Sequence, residues 1–128
     1  TIKNGQIAGK KIVICPIKVD NLSYIRSLLR DIFGLEVIEI TPEEHDREMA
    51  WVHGLTFFVG RALMQINPPK SKLATGYYQK LMDLVELESS HSIELYEGVE
   101  VGNPYAAEVR KEFINVLQKM DSELKDKQ

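Results

Sequence analysis

The chain has 128 residues, of which 44% are hydrophobic and 27% charged, and its formal net charge is −3. This size and composition allow one ordinary soluble domain with an apolar core, or little more than one. The mild acidity and the lack of a basic stripe argue against nucleic acid as a partner, because phosphate binding requires clustered lysine and arginine.

A cytoplasmic protein is predicted, because no targeting segment is evident and the chain has a single cysteine. The N-terminus lacks the apolar core of a signal peptide. The most apolar run, residues 51–66, is interrupted by polar and charged residues and is shorter than the about 20 residues that a membrane helix needs. The single cysteine, Cys15, cannot form an internal disulfide, and its apolar neighbours favour a buried thiol in a reducing compartment.

The first third of the sequence predicts a strand, a helix and a second strand. Residues 1–9 are polar and without pattern, whereas residues 10–17 form a short β-branched run that is typical of a buried strand. Apolar residues at helical spacing predict a helix over 21–33 that ends at Gly34, and residues 35–40 alternate as in a half-exposed strand. Two parallel strands and one helix cannot cover both faces of a sheet, so we expect this unit to need further packing.

A long central helix is predicted over residues 41–66. Thr41 is a good N-cap, and Glu44 completes a Thr-x-x-Glu capping box. From Met49 onward the segment is apolar on nearly every face, which is typical of a helix buried in a bundle or shared between subunits.

Further helices are predicted after this segment. Residues 71–90 carry an apolar stripe and contain Gly76, which is a possible break. A short amphipathic piece, residues 92–96, follows, and Asn103 and Pro104 start a last helix with an apolar face. The carboxylates Glu86, Glu88 and Glu94 are expected on the solvated faces of these helices.

The titratable residues do not by themselves predict an enzyme or a metal centre. The adjacent pair His45 and Asp46 is compatible with acid–base chemistry, but capping and surface roles are the commoner use of such a pair. His53 would lie about 12 Å from His45 along the helix, too far to share a metal ion. His91 falls in a predicted loop without an obvious partner, and no strand is followed by a Gly-x-Gly-x-x-Gly turn.

The order of these segments resembles the C-terminal half of prephenate dehydrogenases. The best local matches are EHDREMA at 44–50 with GLT at 54–56, then LMDLV at 81–85 and LY at 95–96. The resemblance runs from about Gly9 to Leu124, nearly the whole chain.

This resemblance implies an NAD(P)-dependent oxidative decarboxylation of prephenate to 4-hydroxyphenylpyruvate in tyrosine biosynthesis. Members of the family have a nucleotide-binding domain and an all-helical domain that interlocks as a dimer, with the active site between them. Residues 1–40 then correspond to the C-terminal βαβ part of the nucleotide-binding domain, and residues 41–128 to the helical dimerisation and substrate domain. The predicted fold class is mainly α, a short βαβ remnant of a Rossmann-like domain followed by an all-helical dimerisation bundle.

The chain also departs from the family pattern. The glycine-rich turn and the catalytic histidine would lie upstream of Thr1, so no catalytic, cofactor-binding or metal-binding residue is assigned here. Phe57 takes a position where the family places a substrate-contacting histidine, and His53, one turn earlier, is the alternative imidazole. Two carboxylate-gripping arginines of the family match Gln79 and Leu87, which cannot replace a bidentate guanidinium.

The candidate site residues follow from this match. The substrate-binding candidates are His53, Tyr78, Gln79 and Lys80, and the motif candidates are His45 and Asp46.

The leading hypothesis is the C-terminal portion of a prephenate dehydrogenase-like oxidoreductase that forms a homodimer. We expect it to bind no cofactor and to act on a small substrate only together with the nucleotide-binding half, which would use NAD or NADP. One alternative is a non-catalytic dimerisation or regulatory module on the same scaffold. Another is a small binding protein with a pocket formed by Tyr77, Tyr78 and His53.

Overall fold

The computed structural model describes residues 7–128, so most of the predicted N-terminal polar segment lies outside the described residues. The chain forms two compact units, Thr1–His45 and Asp46–Gln128. The assignment of residues 1–40 and 41–128 to two functional domains remains a prediction.

The first unit contains the predicted strand–helix–strand arrangement. Strand β1 spans Lys11–Ile14, and helix α1 spans Leu22–Ser27 and continues as a π-helical turn over Leu28–Ile32. Strand β2 spans Glu36–Glu39 and pairs with β1 in parallel. The βαβ prediction is confirmed, although both strands are shorter than predicted.

Gly34 ends the helical segment of the first unit as predicted. Its φ of 66° lies in the left-handed region, which costs glycine little, and its N–H donates to the Arg30 carbonyl at 3.1 Å. In the following strand, both carboxylate oxygens of Glu39 accept hydrogen bonds of 2.8 Å from Arg26. This bidentate pair lowers the pKa of Glu39 and joins α1 to β2.

The two-stranded sheet leaves apolar residues uncovered within its unit, as expected for so small a sheet. A groove of about 350 Å³ is lined by Val13, Ile14, Cys15, Pro16, Val19, Leu22 and Ile25. Cys15 is half-buried in this groove, whereas the sequence predicted a buried thiol.

Helices make up the rest of the chain. Their bounds are α2 Pro42–Met49, a π-helical segment Ala50–Leu55, α3 Thr56–Ile66, α4 Gly76–Ser89, α5 Ile93–Gly102 and α6 Ala106–Lys125. No described helix combines the length and apolar character that a membrane span requires.

The predicted long helix is present as α2, the π-helical segment and α3 in succession. Its capping box is complete, because the Thr41 N–H donates to Glu44 Oε2 at 2.8 Å and the Glu44 N–H donates to Thr41 Oγ1 at 3.1 Å. Asn67 ends α3 with a left-handed φ of 54°. The sequence did not predict the π-helical interruption.

The later helices begin where side chains can cap them. Thr75 caps α4, accepting from the Tyr78 N–H at 3.2 Å, so α4 begins at Gly76 and the predicted residues 71–75 are not helical. Ser92 caps α5 in the same way, and α5 is longer than the predicted short piece. The Asn103 side chain instead accepts from the Tyr105 N–H and donates to the Asp46 carbonyl, and α6 begins three residues later than Asn103.

The apolar core of the second unit is small. The buried apolar side chains among the described residues are Ala50, Phe57, Ala106 and Val109. The long central segment is therefore not buried all round within one chain. Trp51 and Val52 are about half exposed, and Ile66 is largely exposed.

The C-terminal part of α6 is exposed along its whole length. Every residue from Ile114 to the end of the helix is exposed. We call residues 114–125 the α6 overhang. Its exposed large apolar side chains are Ile114, Val116, Leu117, Met120 and Leu124.

Candidate functional site

The π-helical segment places an imidazole against an aromatic ring. His53 lies in this segment and stacks on Phe57 of α3, with ring centroids 5.3 Å apart and planes 19° apart. Gly54 of the same segment is buried beside Ala106, whose Cβ would lie 3.6 Å from a Cβ at Gly54. Short π-helical insertions are rare and are frequent at functional sites, which draws attention to this position.

A second imidazole, from a different part of the chain, also contacts the Phe57 ring. His91, in the connection between α4 and α5, has its ring centroid 4.4 Å from that of Phe57 at an interplanar angle of 40°. Phe57 is buried and contacts both imidazoles. We call His53, Phe57 and His91 the His–Phe–His cluster.

A buried carboxylate anchors the second imidazole. Glu88 of α4 is 1% exposed, and its Oε2 lies 3.0 Å from His91 Nδ1. Its Oε1 lies 2.9 Å from Arg61 Nη2 of α3. The burial follows from close helix packing, since a Cβ at Gly60 would lie 2.9 Å from Glu88 Cβ. Burying a carboxylate so deeply is costly, and the two cationic partners offset that cost.

The buried ion pair does not use all of its hydrogen-bonding capacity. Arg61 Nη2 and Glu88 Oε1 are within ion-pair distance, but their geometry is not that of a hydrogen bond. Within the described part of the chain, Arg61 Nε and Nη2 and Glu88 Oε1 have no hydrogen-bond partner. The guanidinium also lies over the Tyr96 ring, 4.7 Å from its centroid, which fixes its plane.

A second buried pair joins α5 to α6. Glu100 is 4% exposed, and its Oε2 accepts from Arg110 Nη1 at 2.7 Å, while the Glu100 carbonyl accepts from the same nitrogen at 2.8 Å. Burial raises the pKa of Glu100, and the hydrogen bond from Arg110 offsets this only in part.

This raised pKa predicts a pH-dependent stability. The folded chain binds the Glu100 proton more tightly than the unfolded chain, whose pKa is near 4.5. The stabilisation is full below that value and is lost as the pH rises through the raised pKa. Relative to Glu100→Gln, the wild-type free energy of unfolding should therefore fall as the pH rises above 4.5. Urea unfolding at steps from about pH 4 to pH 7 measures this difference, and parallel curves would contradict it.

The structure brings together only some of the predicted substrate-binding residues. Tyr78 and Gln79 line a groove of about 550 Å³ that extends from Lys70 to Ser89. The Tyr78 hydroxyl donates to the Pro69 carbonyl there, and Gln79 Nε2 donates to Asp83 Oδ1 at 2.9 Å.

The other predicted substrate-binding residues lie outside this groove. Lys80 lies over the Tyr77 ring and lines a separate pocket with Thr75, and His53 belongs to the His–Phe–His cluster. The residues lining the groove do not include Tyr77 or His53, so it is not the predicted pocket of Tyr77, Tyr78 and His53.

The motif residues His45 and Asp46 are half-buried, and the Asp46 carbonyl accepts from Asn103 Nδ2 at 2.7 Å. Their functional role remains a prediction. Among the described residues, no group of three or more His, Cys, Asp and Glu side chains could hold a metal ion.

Sequence reasoning missed the buried ion pairs and was wrong about two of their members. His91 was expected to lack a partner but is anchored by Glu88, and Glu88 was expected on a solvated face but is buried. The spacing of Glu88 and His91, three residues apart, was the available signal, because the turn that ends α4 brings residues at that spacing together and the His91 N–H donates to the Glu88 carbonyl at 3.0 Å.

Comparison with known proteins matches the chain to one family model and to several dehydrogenases. Residues 62–128 match the family described as TYRAAT1-like, C-terminal domain. A probable arogenate/prephenate dehydrogenase of Methanocaldococcus jannaschii is 31% identical over 101 residues, covering 73% of this chain and 23% of that protein. Arogenate dehydrogenase 2, chloroplastic, of Arabidopsis thaliana is 33% identical over 91 residues, covering 71% of this chain and 25% of that protein.

A third relative, arogenate dehydrogenase 1, chloroplastic, of Arabidopsis thaliana, is 31% identical over 97 residues, covering 73% of this chain and 15% of that protein. The matched part of the chain thus spans a quarter or less of the length of these relatives.

Proposed function

Because the chain belongs to the prephenate dehydrogenase family, we propose that its helical unit supplies the dimer interface and part of the substrate cleft of an NAD(P)-dependent oxidoreductase. The substrate class is that named for the relatives, arogenate or prephenate. The nicotinamide cofactor would be held by a nucleotide-binding half, and this chain alone would bind none.

The observation that carries the dimer proposal is the α6 overhang. It is a helical segment of about three turns that no described residue covers, and isolated helices of this length are marginal in water. Its large apolar side chains recur at helical spacing, so they form a continuous stripe along one side. Exposed apolar surface of this extent marks an interaction site.

The charges of the overhang favour a second copy of the same chain as the partner. Its charged residues are Lys119, Asp121, Glu123 and Lys125, so the segment has no net charge. They form pairs within the helix, because Lys119 lies 3.7 Å from Glu123 and Lys125 lies 2.6 Å from Asp121. Two identical overhangs can therefore approach without charge repulsion, and a twofold interface would use the same patch on both subunits.

The cytoplasm is the proposed location, on the ground of the unpaired thiol of Cys15. Two of the relatives are named as chloroplastic, so a plastid is the alternative compartment.

Sedimentation equilibrium of this chain tests the proposal, alone and with prephenate or NAD added separately. We expect a tight dimer whose association constant neither compound changes. A chain that remains monomeric at micromolar concentration would contradict the dimer. Measurable NAD- or NADP-dependent turnover of prephenate by this chain alone would contradict the need for a nucleotide-binding half.

A further inference from the structure

We propose that His91, held by Glu88, is the imidazole of this helical unit that contacts a carboxylate of the substrate, with Arg61 beside it as a second cation. The inference rests on the proposed function and assigns its substrate contact to residues that the sequence match did not select. It also replaces His53 as the candidate imidazole.

The first step is the orientation of the His91 ring. An ionised carboxylate only accepts hydrogen bonds, so Glu88 Oε2 fixes the proton of the ring on Nδ1. The opposite nitrogen, Nε2, then carries a lone pair in the neutral ring and an N–H in the charged ring. Within the described part of the chain Nε2 has no hydrogen-bond partner, and the side chain remains 17% exposed. A ligand can therefore reach an imidazole that is already oriented.

The second step compares the two imidazoles of the cluster. Both contact the buried ring of Phe57, so the structure offers two candidate imidazoles at one place. His53 is exposed, and no side chain in the described residues hydrogen-bonds to its ring. His91 is less exposed and anchored by a buried carboxylate, so it loses less conformational freedom when it binds a ligand.

The third step is the charge of the site. One carboxylate, Glu88, serves both the Arg61 guanidinium and the His91 imidazole. When His91 is protonated, these three groups have one positive charge in excess. The neighbouring charged groups do not remove it, because Tyr96 is a phenol whose pKa is raised and Glu100 is paired with Arg110.

An anionic ligand would supply the missing negative charge. The Nε2–H of a protonated His91 can donate to it, while Arg61, whose Nε and Nη2 are buried without a hydrogen-bond partner, contributes the positive charge of its guanidinium. Arogenate and prephenate, the compounds in the names of the relatives, are both carboxylic acids.

The test is an NMR titration of the histidine rings in this chain with prephenate and, separately, with arogenate, because the proposed carboxylate contact uses only residues of this chain even though turnover needs the nucleotide-binding half. The chain has three histidines, so His45 and His53 serve as internal references. Before titration, the ring nitrogen shifts should show the proton of neutral His91 on Nδ1. With either acid the His91 ring signals should shift to saturation, and His91→Gln should weaken binding by about tenfold or more. The matched control His53→Gln, on the same Phe57 ring, should change the affinity by less than about threefold.

Three results would overturn the inference. They are equal weakening by both variants, saturating shifts of backbone amide signals centred on the groove of Tyr78 and Gln79, and no response of His91 in a folded chain. The two proposals fail separately. A dimer whose His91 ignores both acids contradicts only this inference, whereas a monomer whose His91 signals saturate supports it and contradicts the dimer.

Discussion

Replacing Leu117 and Met120 together with glutamate is expected to convert the proposed dimer into a folded monomer. Both residues lie in the middle of the α6 overhang and are about half exposed in the single chain. A twofold interface contains each of them twice, so the substitutions remove four apolar side chains from the interface. They also place four carboxylates there, which repel one another. At about 1.5–3 kcal/mol for each fully buried side chain, discounted for partial burial, the association constant should fall about a thousandfold or more. Sedimentation equilibrium measures the change.

The matched control introduces two glutamates at exposed apolar residues outside the α6 overhang. Ile17 and Leu73 are more exposed than the overhang residues and lie outside the helices, so Ile17→Glu with Leu73→Glu adds the same two charges. This control should remain dimeric. If both double variants become monomers, net charge alone explains the loss and the overhang is not the interface. Circular dichroism of each variant checks that the helices are retained.

The elements that the sequence predicted best depend on local interactions. The capping box of Thr41 and Glu44 needs only residues three apart, and both of its hydrogen bonds are present. Gly34 likewise ends its helix through its own backbone freedom. The alternation of residues 35–40 predicted β2, because a two-residue period follows from strand geometry.

The features that the sequence did not predict depend on which helix packs on which. A glutamate in an amphipathic helix is usually solvated, and Glu88 is buried because α4 approaches α3 at Gly60. No periodicity indicates this approach. The exposure of Trp51 and Val52 was not predicted for a related reason. A helix that is apolar on every face can be buried by its own chain or by a second subunit, and the pattern does not distinguish the two.

The π-helical segment was missed for a different reason. It changes the hydrogen-bond pattern over only six residues, Ala50–Leu55, without interrupting the apolar character of the segment. The family pattern directed attention to His53 and Phe57, but it gave no indication that His91 contacts the same ring.

Replacing Arg61 with methionine is expected to lower the free energy of unfolding by about 3–5 kcal/mol, the cost of leaving one partner of a buried ion pair uncompensated. Glu88 would lose its guanidinium while remaining almost inaccessible to water, and His91 alone would face it. Urea unfolding at one fixed protein concentration measures the change, because the stability of a dimer depends on concentration. The same exchange at Arg30, whose pair with Asp31 is exposed and screened by water, should change the free energy of unfolding far less.

A double variant separates the cost of an unpaired charge from the cost of lost packing. Arg61→Met with Glu88→Met removes both charges at similar volume, so much of the stability lost in the single variant should return. If the double variant is as unstable as Arg61→Met alone, packing around the guanidinium, including its contact with Tyr96, is the larger contribution. If Arg61→Met costs less than about 1 kcal/mol, water reaches Glu88 in solution. His91 would then lose the buried anchor that orients its ring, and the proposed substrate contact would lose its physical basis.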